Sequence, residues 1–131
     1  MAPSRPSISD SIRLKVEQEA GDRCGYCLTD RRYTAKRLHV EHIISIAAGG
    51  SSAIENLWLA CDLCNSYKGS KTAAVDSATG EPAPLFNPRA QKWSEHFQWS
   101  DDGTHIIGLT PTGRATVIAL RLNNPILIEA R

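Results

Sequence analysis

Two Cys-x-x-Cys pairs, Cys24-Gly25-Tyr26-Cys27 and Cys61-Asp62-Leu63-Cys64, contain every cysteine of this 131-residue chain. They constrain the fold more than any other feature, because four thiolates meeting at one ion must bring two distant stretches of chain together. The amino terminus, Met1-Ala2-Pro3-Ser4-Arg5-Pro6, lacks the apolar core of a signal peptide, and no run approaches the length of a membrane span. A reducing, cytoplasmic setting is therefore expected, where paired cysteines read as metal ligands and not as disulfides. A thiol redox pair is the rival for either knuckle alone. Two knuckles in one short chain favour a closed four-cysteine zinc site.

At this length the simplest organisation is one compact domain, burying roughly two thirds of its unfolded surface. A hydrophobic content of 41% with 22% charged residues excludes wholesale disorder and fibrous classes. The net charge of +1 says little about partners, since distribution matters more than total. Arg31, Arg32, Lys36 and Arg37 form a basic stretch without an acid, and Lys68 with Lys71 forms another. Each reads either as a solvated surface or as a contact for phosphate.

Ile8, Ile12, Val16 and Ala20 recur at steps of four, which predicts an amphipathic helix within residues 9–21, capped by Ser9 or Asp10 and ended by Gly21. That helix leads into the first knuckle, where Gly25 suits a tight backbone turn. A short strand is expected between Arg37 and Ile44, then a Gly/Ser loop, then a second strand at Leu57-Trp58-Leu59-Ala60. Asp62 would cap a short helix carrying Asn65 and Lys68 and ended by Gly69. Residues 72–84 are rich in Pro, Gly, Ala and Thr and read as a connector. Residues 85–131 form an extension, with a strand at His105–Leu109 and a helix over Gly113–Asn123 that Asn124-Pro125 would end. Trp93 and Trp99 read as packing anchors, and His96 and His105 as structural.

The span from Cys24 to Lys71 resembles the zinc-supported HNH endonuclease domain. The likeness rests on Cys-x-x-Cys, then Glu41-His42-Ile43, Gly49-Gly50, Glu55-Asn56-Leu57, the second Cys-x-x-Cys with Asn65, and Lys68-Gly69, in the family's order and at about its spacing. The extension is also similar to a tail of a bacterial and phage subgroup. The resemblance implies a small α+β single domain: a ββα-metal core, a structural zinc on Cys24, Cys27, Cys61 and Cys64, and a C-terminal strand/helix extension. It also implies metal-dependent cleavage or nicking of DNA, leaving 5′-phosphate and 3′-hydroxyl ends. Asn56 would hold the loop so that His42 faces the phosphate; a turn cap is the overlapping alternative.

The residue chemistry agrees. An imidazole titrates near neutrality, so His42 suits proton removal from water. Glu41 and the Asn65 amide offer hard oxygens to one Mg2+ or Mn2+ ion. Adjacent strand residues point to opposite faces, so Glu41 and His42 share a site only if the strand ends there. Lys68, Arg37, Lys71 and His39 are the candidate DNA contacts, mainly to phosphate and hence of low sequence specificity, and His39 is also a candidate extra ligand. DNA is the expected partner, no membrane is expected, and the protein would act as monomer or homodimer in a prokaryotic or phage setting. Two departures from the common pattern stand out: Ser45-Ile46 replaces a proline after His-Ile, and Glu41 replaces the commoner Asp. A catalytically silent zinc module that binds nucleic acid or protein is the alternative; it has no use for Glu41, His42 and Asn65 together.

Overall fold

The computed structural model describes residues 8–131, and the polar amino-terminal stretch read above as no signal peptide lies outside them. Helix α1 covers Asp10–Ala20; the Ser9 hydroxyl accepts from the Ile12 amide at 3.3 Å, and Gly21 closes it with φ 63°. The Gly21 and Asp22 amides return to Gln18 and Glu17, so the last carbonyls are satisfied. Val16 is fully buried on the face that meets the core.

The hairpin expected after the first knuckle is present. Strand β1, His39–His42, pairs antiparallel with β2, Leu57–Ala60, so that Glu41 lies opposite Trp58 and His42 opposite Leu57. Between them, Ile46–Ala48 makes one 3-10 turn capped by the Ser45 hydroxyl, and Gly49 follows with φ 94°. Helix α2, Asp62–Lys68, leaves β2 directly and ends at Gly69. Its cap is Cys61 and not Asp62: the sulfur accepts from the Cys64 amide at 3.4 Å. Gly25 is needed for closeness and not for turn conformation, since a Cβ there would stand 2.4 Å from the Trp58 ring and 2.7 Å from Pro88.

The two knuckles bring their sulfurs together. Cys27 and Cys61 lie 3.6 Å apart, and one ligand atom from each of the four buried cysteines falls within 4.8 Å of the others. Tetrahedral zinc with Zn–S bonds of about 2.3 Å spaces its sulfurs at roughly 3.8 Å. A disulfide would need about 2.0 Å. The cluster is compatible with a structural zinc. Hydrogen bonding to Cys24 holds Cys27 and Cys61 below the ordinary thiol value, whereas burial pushes Cys24 up and sulfur hydrogen bonds push Cys64 up. Four packed thiols cannot all ionise until a cation sits between them.

The expected connector is instead a hairpin. Strand β3, Ala73–Val75, pairs antiparallel with β4, Pro82–Pro84. Propensity argues against strand here, but a two-stranded ribbon is all edge, and prolines survive where no ladder donor is required. Buried Asp76 closes it: the carboxylate receives Arg114 Nε at 2.7 Å and Nη2 at 3.0 Å, besides the Ala78 amide and the Thr79 hydroxyl.

The extension packs into the same core. Helix α3, Trp93–His96, leads into β5, Phe97–Trp99, which pairs with β6, Ile106–Gly108. Helix α4, Pro111–Ala119, stops before the expected Asn123, and Asn124-Pro125 starts a further helix, α5, Pro125–Ala130. Asn124 caps α5 by accepting from the Leu127 amide, and proline at the first helical position needs no donor. Phe86 lies edge-on to both Tyr26 (6.5 Å) and Phe97 (5.1 Å), and Trp93 stacks on Phe97 at 5.2 Å. Trp93 also donates to the Tyr26 carbonyl at 2.8 Å, and Arg89 donates to the Leu57 carbonyl while lying over the Trp58 ring. Among the described residues the result is a small mixed α/β single domain with short two-stranded sheets, and no helix long and apolar enough to cross a membrane.

Two outcomes follow from this architecture. Cys24→Ser or Cys61→Ser should unfold the domain, because structural zinc contributes on the order of 10 kcal/mol in small domains. A melting curve unchanged by either substitution, or zinc-free protein that melts normally, would overturn the four-cysteine site. The Arg114 guanidinium holds the Asp76 carboxyl well below its ordinary range. Stability from this pair is then complete above the unfolded carboxyl value near pH 4 and is lost as pH falls through the lower folded value. Thermal melts from pH 7 to pH 2 should therefore show acid destabilisation that Asp76→Asn weakens, at the cost of a lower melting temperature at pH 7.

Candidate active site

The carboxyl end of β1 and the loop after it gather the candidate chemistry. Glu41 and His42 are 4% and 5% exposed, so both lie inside the fold and neither forms an open surface. One Glu41 oxygen accepts from the Tyr26 hydroxyl, which comes from the middle of the first knuckle. Burial, and after it the facing carboxylate, pushes the Tyr26 phenol well above its ordinary value, so it remains a donor. The other Glu41 oxygen lies 3.9 Å from Lys68 Nζ. His42 lies next along β1, and its Nε2 is 3.0 Å from the Ser52 hydroxyl on the far side of the loop.

Asn56 governs the course of that loop. Its side-chain oxygen accepts from the Ile44 amide at 2.9 Å, and its nitrogen donates to the carbonyls of Ile44 (2.8 Å) and Ser51 (2.7 Å). Its backbone carbonyl takes the Ile43 amide at 2.8 Å. One asparagine thereby ties the residues just after His42 to those just before β2. Gly50 lies against the same turn so closely that a Cβ would stand 1.8 Å from the Ile44 carbonyl oxygen. At Ser45-Ile46, where the sequence resemblance leads one to look for proline, these bonds and the Ser45 cap tie the loop.

Asn65 stands one residue beyond Cys64 and one helical turn before Lys68, half-buried on α2. Glu41 and Asn65 offer oxygens of the right hardness for a divalent ion. Apart from the four cysteines, the described residues gather no further group of three cysteine, histidine or acidic ligands. Such an ion would rest on one carboxylate, one amide, substrate and water, and that carboxylate already faces Tyr26 and Lys68.

The expected DNA contacts separate. Lys68 is corrected outright: it is 2% exposed and donates to the Ile43 carbonyl at 2.7 Å, so its ammonium does not reach the surface. Lys71 is exposed and borders a hollow of about 400 Å³ beside Ile43 and Ile44. Arg37 and His39 lie towards the other end of β1, Arg37 paired with Glu17 at 3.2 Å and His39 with Asp62 at 2.8 Å. The hydrogen bond from His39 holds the Asp62 carboxyl below its ordinary value. His39 pairs with Asp62 at the start of α2, whereas Glu41 meets Tyr26 and Lys68.

Three participants escaped the sequence. Ser52 is one hydroxyl in a run of small loop residues, and nothing marks it until the loop folds over His42. Tyr26 reads as knuckle filler, although its place between two of the clustered cysteines is what aims it. The inward turn of Lys68 has no signal in a stretch that is polar on either side.

Residues 24–71, a little over a third of the chain, match the family model described as HNH endonuclease. Comparison with curated proteins and with solved structures gave no match. The family match falls on the same residues as the motif resemblance and encloses the four-cysteine cluster, the hairpin and α2. This segment is similar to the HNH endonuclease family, whose members are generally nucleases acting on nucleic acid.

Proposed function

We propose that the protein is a metal-dependent DNA endonuclease or nickase that hydrolyses phosphodiester bonds at His42. The observation that carries this reading is the tether around that histidine: Ser52 on Nε2, and Asn56 holding the next backbone turn through three side-chain hydrogen bonds. Either neutral tautomer keeps one basic ring lone pair: on Nδ1 where Nε2–H donates to Ser52, on Nε2 where the Ser52 hydroxyl donates. Asn56 acts by orientation, since every bond it makes is to backbone of the catalytic loop.

Glu41 and Asn65 are the residues that would hold a divalent ion. When bound, Mg2+ or Mn2+ would supply Lewis acidity to the phosphate oxygens and ease departure of the 3′ oxygen. The remaining work falls to the chain: His42 takes the proton of the attacking water, the zinc knuckles hold both ends of the unit, and exposed Lys71 meets backbone phosphate. By analogy with the family the products carry 5′-phosphate and 3′-hydroxyl. Contacts made mainly to phosphate give low sequence specificity.

One observation favours a second reading, a zinc-held binding module without hydrolysis: both Glu41 and His42 are almost wholly buried. Supercoiled plasmid separates the two. The wild-type protein with Mg2+ or Mn2+ should nick it, and His42→Ala should lower the rate by about two to four orders of magnitude, the usual loss of a general base. Ser52→Ala should cost about tenfold, with zinc content and melting temperature preserved. DNA binding without nicking by the wild-type protein, or equal nicking by His42→Ala, would instead establish the binding module.

A further inference from the structure

We propose that Lys68 is a positioning cation built into the site, which holds the end of β1 and competes with a divalent ion for the Glu41 carboxylate. The inference rests on the reading above in one respect, that Glu41 is an ion ligand.

The argument begins with burial. A lysine on a short helix can reach water, and an ammonium withdrawn from water is costly unless acceptors replace its hydration. Lys68 is withdrawn, and its acceptors come from three consecutive residues. The Ile43 carbonyl lies at 2.7 Å, the His42 carbonyl at 3.4 Å and Glu41 Oε2 at 3.9 Å. Those residues span the point where β1 leaves its pairing with β2 and turns into the loop. Within a regular strand the side chain of one residue and the carbonyls of the next two do not converge on a point. One ammonium that gathers all three thus marks the twist that lets Glu41 and His42, which start on opposite faces, serve one site.

The same contact has an electrostatic consequence. Tyr26 takes one Glu41 oxygen and Lys68 faces the other, so the carboxylate is already partly neutralised. A doubly charged ion arriving there meets a fixed positive charge in a water-poor pocket, and like charges repel strongly at low dielectric. Lys68 therefore raises the ion concentration the site needs. A purely structural lysine predicts the reverse, because its loss would loosen Glu41 and weaken the ion's hold.

The test is Mn2+ binding to the zinc-loaded full chain, followed by the electron paramagnetic resonance of free Mn2+, with Glu41→Gln giving the background from other acidic groups. Lys68→Met keeps the length of the side chain and removes its charge. It should bind Mn2+ about tenfold or more tightly than the wild type, while Lys68→Arg stays near the wild-type value. Equal or weaker binding by a folded Lys68→Met overturns the inference while leaving the nuclease reading intact. Binding by neither protein overturns both this inference and the ion-dependent part of that reading. Should Lys68→Met fail to fold, the buried ammonium of the wild type is read directly by 15N-edited NMR. Its resonance should move on titration with Mg2+, and a resonance unmoved while the Asn65 amide shifts would overturn the competition.

Discussion

Convergence of four sulfurs is the constraint from which the rest of this small domain descends. It joins the turn after α1 to the junction of β2 and α2, two places that also share one apolar core. Two residues of the candidate site inherit their positions from it. Tyr26 lies between two of the clustered cysteines and is aimed at Glu41, while Asn65 follows Cys64 by one peptide bond. Cys61 has a second duty, because its sulfur also caps α2. Sulfur clustering, helix start and site geometry are thus one local event, and a domain of this size gains most from such coincidence.

The loop beyond β1 solves a different problem. It is held in one course around His42, yet it carries no proline and consists mostly of small residues. Rigidity comes from hydrogen-bond closure: the Ser45 cap, the Gly50 amide returning to Ser45, and Asn56 bonded to both strands of the turn. The close approach of Gly50 to the Ile44 carbonyl explains the Gly-Gly pair more fully than conformational freedom does, since Gly49 needs a positive φ and Gly50 needs the missing Cβ.

Much of this was legible in the chain. The cysteine spacing, the α1 caps, the hairpin and α2 were all readable, because each depends on a local pattern with its own physical cause. What stayed hidden was decided by tertiary contacts. Residues 72–84 look like a linker, since prolines and alanines carry no strand signal, and the Arg114–Asp76 pair that closes the ribbon comes from a distant helix. Asn124-Pro125 ends one helix and equally begins another, and only the chain beyond it decides between them. At the site, the types and order of Glu41, His42, Asn56 and Asn65 could be read directly. The partners Ser52 and Tyr26 could not, and Lys68 pointed the wrong way, because burial is a property of the packed molecule and not of a residue's polarity.

The aromatic contact between Tyr26 and Phe86 bears on how such a unit can pass between proteins. The motif-bearing segment appears self-contained when written as letters, but its knuckle presents a ring that the extension must cover, and Trp93 and Arg89 satisfy backbone carbonyls on Tyr26 and Leu57. Recombination that carried residues 24–71 alone into a new gene would export a ring and two carbonyls in need of cover. The recipient would have to supply an aromatic lid and two donors of its own. Inheritance of this domain is therefore expected to proceed as a package, with the tail under selection for fit against the knuckle even where it takes no part in chemistry.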